Sequence, residues 1–360
     1  MKKKSKRLAN IELLRIIAMC MVIMLHYLGK GDLLPDMSLT MGINEYVAWI
    51  LESFAIVAVN VYVLISGYFL VEAEFKPSKI VRLILQVLFY TILVTILSLA
   101  FGIIELSDLG IYNLIVQLFP FQLEQYWFMT SYLVFYILSP VLAMGVKQLS
   151  RKNLQAVIIA FVLFMSVEKS ILPVQIVFDE RGYDALWFIC LFLVAAYIRL
   201  YGVKLLEKKV VCLALYFCGC VLAFVENMAL SVVYEKTGEL AHLFGTPYHY
   251  NHIWVLLASI GLFSCFLKVE IKDGIFSKAV CAIAPYTLGV YLLHEHVYVK
   301  YLWPKWLLAG KADNPIEFVL MAFMAVVVVF VLGISVDYLR SLLFKLGSKC
   351  FYGKKAGSSV

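Results

Sequence analysis

The sequence predicts an all-α protein, a bundle of about ten helices that cross a membrane. Of the 360 residues, 63% are hydrophobic and 15% are charged, and the mean hydropathy is +0.90. Soluble domains carry about 25% charged residues. Ten apolar stretches, each near the roughly 20 residues that span a bilayer, lie at residues 8–28, 46–70, 80–101, 126–146, 154–172, 184–201, 209–233, 252–267, 279–299 and 315–338. Composition and hydropathy together indicate an integral membrane protein.

The first apolar stretch is expected to remain in the protein as a membrane anchor. It is long, it contains Arg15 and His26, and no small-residue cleavage site follows it, unlike a secretory signal peptide. Along the rest of the chain there is no change of composition and no long linker. We therefore predict one membrane domain over residues 1–345 and a short basic cytoplasmic tail over residues 346–360.

Lysine and arginine are distributed unevenly between the two sides of the predicted bundle. With the N-terminus inside, 23 of the 31 basic residues fall in cytoplasmic segments and seven in outer segments, while Arg15 lies within the first span. Because cytoplasmic loops are enriched in these residues, we expect a multi-pass protein of the cell membrane with both termini in the cytoplasm. The net charge of +7 then follows from orientation. Nucleic acid, which requires a basic face on a soluble domain, is not an expected partner.

Two ionisable residues on the first helix mark a candidate functional site. Arg15 and His26 are eleven positions apart in an apolar run, which separates them by about 16 Å along a helix axis. A charged side chain inside a membrane costs roughly 2.5–3.5 kcal/mol to insert and usually faces the bundle interior or a wet cavity. Glu12, three positions before Arg15, shares its helix face. A structural ion pair and a catalytic pair explain Glu12 equally well at this stage.

Polar residues in later spans extend the set of candidates. Asn60 and Ser66-Gly67 interrupt the second span, and His294 and His296 close the ninth. Hydrogen bonding between helices and close helix contact are the simpler roles for the first three. One of the two histidines is expected only to meet the polar interface. No zinc-binding His-Glu-x-x-His pattern occurs, so we predict no metal site.

All eight cysteines are expected to be packing residues without disulfide bonds. None lies in a predicted outer loop, and disulfides are rare on the cytoplasmic side. They are Cys20, Cys190, Cys212, Cys218, Cys220, Cys265, Cys281 and Cys350.

A short basic segment follows the second span. Lys76, Lys79 and Arg82 are spaced three residues apart, and Pro77 suits the first turn of a helix. Lys79 and Arg82 would then lie near one helix face at the membrane boundary. The preference for basic residues on the cytoplasmic side accounts for this cluster by itself, although the cluster also has the chemistry to bind phosphate groups.

Together these segments resemble the acyltransferase type 3 family, ten-helix membrane enzymes that O-acylate cell-surface polysaccharides. The resemblance extends over essentially the full length of the chain. The segments that carry it are Glu12-Leu-Leu-Arg15 with His26, Val59-Asn60-Val61 through Ser66-Gly67-Tyr68-Phe69, Tyr126-Trp127-Phe128 to Pro140, Trp187-Phe188 through Tyr197-Ile198-Arg199, and Leu288 through His294-Glu295.

The resemblance implies an enzyme that moves an acyl group from a cytoplasmic thioester to a hydroxyl outside. In the family the histidine of the first helix is held to be catalytic and its arginine essential, which implies these roles for His26 and Arg15. Acyl-CoA, by default acetyl-CoA, is the implied donor, and its phosphates would meet Lys76, Lys79 and Arg82, where the family often has two arginines. The implied acceptor is a cell-surface glycan or a lipid-linked saccharide.

The chemistry of such a transfer suggests roles for further residues. An imidazole at position 26 suits general-base catalysis near neutral pH. His294 is a candidate partner on the acceptor side. Candidates for stabilising the oxyanion or orienting the substrates are Arg15, Asn60, Ser66 and Trp127.

Two other classes of function fit the same ten-helix layout. A polysaccharide exporter or flippase would need a cavity wide enough for a polymer. A scaffold subunit of a surface-polymer synthase would have no need for Arg15 and His26. Expected partners, besides the acceptor, are membrane lipids and either a second copy of the chain or a polysaccharide-synthesis complex.

Overall fold

The fold is all-α, as the hydropathy predicts. The computed structural model describes residues 7–35, 41–121, 125–173 and 179–355, with side chains up to residue 346. Within these ranges no β-strand occurs. The helices are α1 (Ala9–Lys30), α2 (Ile43–Ala55), α3 (Ala58–Leu70), α4 (Pro77–Ala100), α5 (Ile111–Leu118), α6 (Trp127–Gln148), α7 (Arg151–Val162), α8 (Glu168–Ile171), α9 (Ala185–Tyr201), α10 (Lys209–Thr237), α11 (Ile253–Phe266), α12 (Ile275–Ile283), α13 (Thr287–His294), α14 (Trp303–Trp306) and α15 (Pro315–Lys355).

Among the residues that the structure describes, eight helical segments are long and apolar enough to cross a membrane. They are Ala9–Lys30, Ile43–Leu70, Pro77–Ala100, Trp127–Gln148, Arg151–Ile171, Lys209–Thr237, Ile275–His294 and Pro315–Leu346. The predicted spans at 184–201 and 252–267 are also helical, but α9 has 17 residues and α11 has 14, fewer than the roughly 20 that cross a bilayer alone. The protein is thus a multi-pass helical bundle, and the count of ten and the orientation of the termini stay predictions.

The centre of the bundle is formed by α1, the α2–α3 segment and α9. In the apolar part of Ile43–Leu70, 78% of the residues are buried, against 22% in Arg151–Ile171. Nearly all of α9 between Trp187 and Tyr197 is buried. A helix that is apolar on every face must lie inside the protein or against lipid. The central helices take the first position, and α7, α10 and α15 surround them.

Two interruptions of helix geometry are stabilised by side chains. Between α2 and α3 the span bends at residues 56–57, and the hydroxyl of Tyr216 donates to the carbonyl of Phe54 there (2.9 Å). Pro140 lies inside α6 and cannot donate to the carbonyl of Tyr136. The hydroxyl of Ser139 donates to that carbonyl (2.7 Å), so the carbonyls of Phe54 and Tyr136 both have a hydrogen-bond partner.

Glycines allow the closest helix contacts. A Cβ on Gly67 would lie 3.0 Å from the Cα of Phe192, so α3 and α9 touch backbone to backbone there. Gly219 and Gly261 have the same role between α10 and α11. Small residues at helix crossings are typical of membrane bundles. The packing role expected for Gly67 is confirmed.

A buried charge network joins α4, α13 and α15. Asp337 is fully buried and accepts hydrogen bonds from Gln86 (3.1 Å), Tyr90 (2.9 Å) and Arg340 (2.7 Å). Gly289 of α13 lies directly against this carboxylate, and a methyl group there would overlap it. Pairing of this kind is what allows a charge inside an apolar bundle.

The cysteines whose side chains the structure describes are all free thiols. They number seven, and Cys350 lies outside the described side chains. Cys190, Cys212, Cys220 and Cys265 are buried, as packing residues would be, whereas Cys218 is exposed.

Candidate active site

A cavity of about 320 Å³ lies between α1, α3, α6 and α13. Arg15 lines one end of it and His26 the other, as their positions on α1 require. We call this the central cavity. Its wall is completed by Met19, Val22, Leu25, Val59, Tyr62, Ser66, Leu83, Trp127, Phe128, Met129, Tyr132, Tyr250, Thr287, Leu288 and Tyr291.

Arg15 is held by its own helix and by α3. One terminal nitrogen, Nη1, lies 3.2 and 3.3 Å from the two carboxylate oxygens of Glu12. The hydroxyl of Tyr62 donates to the backbone carbonyl of Arg15 (2.6 Å). Glu12 is buried, whereas about a third of the Arg15 side chain is exposed. Because Glu12 contacts only one corner of the guanidinium, the other nitrogens remain available to a ligand.

The basic cluster lies at the Arg15 end of the central cavity. Lys76, Lys79 and Arg82 are exposed at the start of α4, and the next residue, Leu83, lines the cavity. The charge of Arg15 acts on the Lys79 ammonium together with those of Lys76 and Arg82. These four cations therefore produce one positive field at this mouth.

At the other end, His26 contacts two consecutive residues at the end of α13. Its Nδ1 lies 2.9 Å from Nε2 of His294 and 3.1 Å from Oε2 of Glu295. The opposite nitrogen of His294 lies 2.6 Å from the carbonyl oxygen of Val290. The other Glu295 oxygen pairs with Lys30, one turn after His26. Both His294 and Glu295 are buried.

These distances assign the protons of the two imidazoles. A carbonyl can only accept, so Nδ1 of His294 carries a proton and donates it to Val290, and its Nε2 accepts. His26 must then donate through Nδ1. In the neutral ring this leaves the lone pair on Nε2 of His26 as the basic nitrogen. The Glu295 carboxylate beside it favours the protonated ring during a reaction.

Trp127 separates the central cavity from a second, more polar one. The second cavity has a volume of about 560 Å³ and is lined by Trp127, Thr130, Ser131, Glu180, Arg181, Tyr183 and His249. The ring centroids of Trp127 and Tyr183 are 4.4 Å apart, and Tyr250 stacks on Trp127 at 5.8 Å. Burial lowers the pKa of His249 to about 4, with a further contribution from the charge of Arg181. His249 is therefore neutral at pH 7.

One buried hydroxyl in the central cavity has no partner. Tyr291 is buried, its ring centroid is 6.2 Å from that of His26, and the proton of its hydroxyl has no acceptor among the described residues. A buried polar atom without a partner costs about 1–3 kcal/mol. Such an atom in a cavity is a candidate to bind substrate.

The site residues predicted from the sequence do not all lie at the central cavity. The structure brings Arg15, His26, Ser66 and Trp127 to the wall of the central cavity, and His294 contacts His26. Asn60 is fully buried outside that wall, where its amide donates to the carbonyl of Tyr250 and accepts from Trp187. Both of its polar atoms are occupied, which favours the packing role.

Sequence reasoning noted Glu295 but gave no role at the site to Glu295, Lys30 or Tyr291. Lys30 follows His26 by four positions and so lies on the same helix face, and a partly buried cation there favours a carboxylate nearby. The His-Glu-His segment at the end of the ninth span supplies that carboxylate. Nothing in the sequence marked Tyr291 as a site residue, because a tyrosine in an apolar run is usual at a helix interface.

Comparison with known proteins decides the family. Residues 8–334 match the family model Acyl_transf_3, described as an acyltransferase domain. The chain belongs to the acyltransferase type 3 family. No curated protein and no solved structure matched the sequence.

The protein is accordingly a membrane acyltransferase. The matched region contains both ends of the central cavity, from Arg15 and His26 on α1 to Tyr291 and Glu295. An acyltransferase needs a base for the accepting hydroxyl and donors for the carbonyl oxygen, and the central cavity of this acyltransferase offers both.

Proposed function

We propose that the protein transfers an acyl group, by default acetyl, from cytoplasmic acyl-CoA to a hydroxyl of a glycan on the outer side of the cell membrane. The acceptor is a surface polysaccharide or a lipid-linked saccharide. The single observation that carries this proposal is the central cavity, which joins the basic cluster and Arg15 at one end to His26 at the other.

The two ends of the central cavity suit the two proposed substrates, acyl-CoA and the glycan. Lys76, Lys79 and Arg82 offer charge-assisted contacts to the phosphates of coenzyme A. From there the thioester arm would pass Arg15 and reach His26, about 16 Å further along α1. A volume of about 320 Å³ lies in the range of small-molecule pockets, roughly 300–1,000 Å³. It is too small for a polymer strand, so the cavity favours transfer over export.

A single base, His26, is sufficient for both proton transfers of the proposed reaction. As the acceptor oxygen attacks the thioester carbonyl, Nε2 of His26 takes the hydroxyl proton. The new C–O bond gives a tetrahedral oxyanion, and the C–S bond then breaks. The thiolate of coenzyme A takes the proton back from His26, so products are the ester and free thiol. Glu295 stabilises the imidazolium in between.

The unpartnered hydroxyl of Tyr291 is the favoured donor to the oxyanion. It is in the same cavity as His26 and loses no existing hydrogen bond by turning to a substrate. Donors that are already in place contribute most when charge develops in a site that excludes water.

The second cavity suits the acceptor. Trp127 and Tyr183 offer an aromatic face on which the C–H side of a sugar ring can pack. Glu180, Arg181 and the neutral His249 offer hydrogen bonds to its hydroxyls. Trp127 also lines the central cavity, so a sugar bound there lies next to the route toward His26.

The test is transfer of a labelled acetyl group by purified protein in proteoliposomes. Labelled acetyl-CoA is enclosed in the lumen or added outside, with the glycan on the opposite side, and product is counted. We expect transfer from one side only, with a loss of at least about 100-fold in His26→Ala. His242→Ala, which removes an exposed histidine, is the matched control and should stay active. Full activity of His26→Ala, or glycan export without acylation, would contradict the proposal.

A further inference from the structure

Three atoms with the chemistry of metal ligands converge beside the central cavity. Nδ1 of His26, Nε2 of His294 and a carboxylate oxygen of Glu295 all lie within 4.8 Å of one another. Two of the separations are 2.9 and 3.1 Å. Ligands of tetrahedral zinc, with bonds of about 2.1 Å, lie roughly 3.4 Å apart. In the part of the chain that the structure describes, no other group of three histidine, cysteine or acidic residues has this geometry.

A second observation points to an additional ligand. Oε2 of Glu295 is buried and makes no aligned hydrogen bond with any described group, because the N–H of His26 is directed at His294. A buried carboxylate oxygen that accepts no hydrogen bond is costly. A cation between the three residues would satisfy it.

The surroundings of the cluster match those of metal sites. The other nitrogen of His294 donates to the carbonyl of Val290 (2.6 Å), and the other oxygen of Glu295 pairs with Lys30. Outer partners of this kind fix the orientation of metal ligands. The positive charge of Lys30, however, weakens cation binding, so the site suits an ion that binds reversibly.

We propose that His26, His294 and Glu295 form a reversible binding site for a divalent transition metal ion such as Zn²⁺, and that the bound ion blocks acyl transfer. The proposal that transfer is blocked rests on the proposed function. Two imidazoles and one carboxylate select Zn²⁺ or Cu²⁺ over Mg²⁺ and Ca²⁺.

Inhibition follows from the number of lone pairs on an imidazole. A neutral ring has one free lone pair and one N–H. When the metal takes the lone pair of Nδ1 in His26, the proton must reside on Nε2. That nitrogen then has nothing with which to accept the proton of a hydroxyl. The ion therefore prevents the base step without entering the reaction. The site was not predicted from sequence, because His26 and His294 are 268 positions apart in the chain.

The experiment measures metal binding and transfer separately on the purified full chain. Equilibrium binding of Zn²⁺ is measured in detergent at buffered free concentrations. We expect one site per chain, and His294→Gln or Glu295→Gln should weaken it by at least about tenfold. His296→Asn is the matched control, since His296 contacts Gln125 instead (3.3 Å). Transfer by the unmodified protein should fall as this site fills, with no effect of Mg²⁺.

Different outcomes separate the two proposals. Zinc binding that is equal in the unmodified protein, His294→Gln and Glu295→Gln would overturn the metal site. Loss of transfer when a chelator removes all metal would overturn the proposal that the bound ion blocks transfer. Binding that the variants weaken, in a preparation that never transfers an acyl group, would support the metal site and contradict the proposed function. Size-exclusion profiles of both variants confirm that each has folded.

Discussion

Arg15 presents only one corner of its guanidinium to Glu12, which allows two roles to be distinguished. If the remaining nitrogens bind the donor or the oxyanion, Arg15→Lys should lose at least about tenfold in kcat/KM, nearly as much as Arg15→Ala, because an ammonium does not reproduce a planar fork. If Arg15 serves only to neutralise Glu12, the lysine should restore activity. Steady-state kinetics with both variants measure this difference. An active lysine variant would assign the pair to structure.

The hydroxyl of Tyr291 offers a second test at the level of one atom. Tyr291→Phe keeps the ring and its packing and removes only the unpartnered donor. We expect kcat to fall by about 100-fold with little change in the KM for either substrate, since the interaction forms in the transition state. Tyr286→Phe, in the turn before α13, is the control. A larger effect on KM than on kcat would place the hydroxyl in substrate binding.

The site residues that could be predicted from sequence are those with an ionisable side chain in an apolar span. Arg15 and His26 were identified because an ionisable group in an apolar membrane helix is energetically costly and usually has a function. Glu295 and the pairing of His26 with His294 were not, because partners on different helices depend on how the helices pack. Asn60 shows the converse: its amide is as polar as a catalytic donor, but both of its atoms are used between helices.

At the level of single helices, we expect the packing of α13 to be sensitive to the addition of one methyl group. Gly289 lies against Asp337, and that carboxylate cannot move away because Gln86, Tyr90 and Arg340 hold it. We expect Gly289→Ala to cost about 1–3 kcal/mol in the free energy of unfolding, as overpacking usually does.

Thermal unfolding in detergent measures the loss, and transfer should fall with it because α13 carries His294. Gly29→Ala is the matched control: it is also a helical glycine, nothing lies within 4 Å of its added Cβ, and alanine favours the helix. Equal melting temperatures of the two variants would contradict this account of α13.

The helices themselves were predictable where their apolar runs are long. The first, third and fourth predicted spans correspond to α1, α4 and α6. The bend between α2 and α3 was not predicted, because no proline or glycine marks residues 56–57. The break between α12 and α13 follows Pro285 at residues 284–286. The predicted span at 252–267 is already short and agrees with α11 (Ile253–Phe266). Its buried position could not be predicted, because hydropathy does not distinguish a buried helix from a lipid-facing one.

For the whole molecule, the positive field at the Arg15 mouth predicts where the donor binds. Replacing both Lys79 and Arg82 by glutamine should raise the KM for acyl-CoA roughly tenfold, because charge-assisted contacts to phosphate are lost. The KM for the glycan should change little. Lys208→Gln, an exposed cation at the start of α10, should leave both unchanged. A change confined to the glycan's KM would reverse the assignment of the two ends.

Orientation has its own test in the same region. A cysteine placed at position 79 should react with an impermeant thiol reagent only after the membrane is opened, since the distribution of basic residues predicts that this mouth faces the cytoplasm. The exposed native thiol, Cys218, is first replaced by serine. Labelling of intact cells at position 79 would overturn the topology and the direction of transfer together.

The contact between His26 and His294 has a consequence for the protein during its synthesis. The two residues are 268 positions apart. At roughly 5–20 residues per second of synthesis, the second histidine is added about 15–50 s after the first. During that time α1 is already in the membrane with His26 unpaired, so a nascent or truncated chain has no oriented base. We therefore expect the acyltransferase to gain activity only when its last spans are inserted.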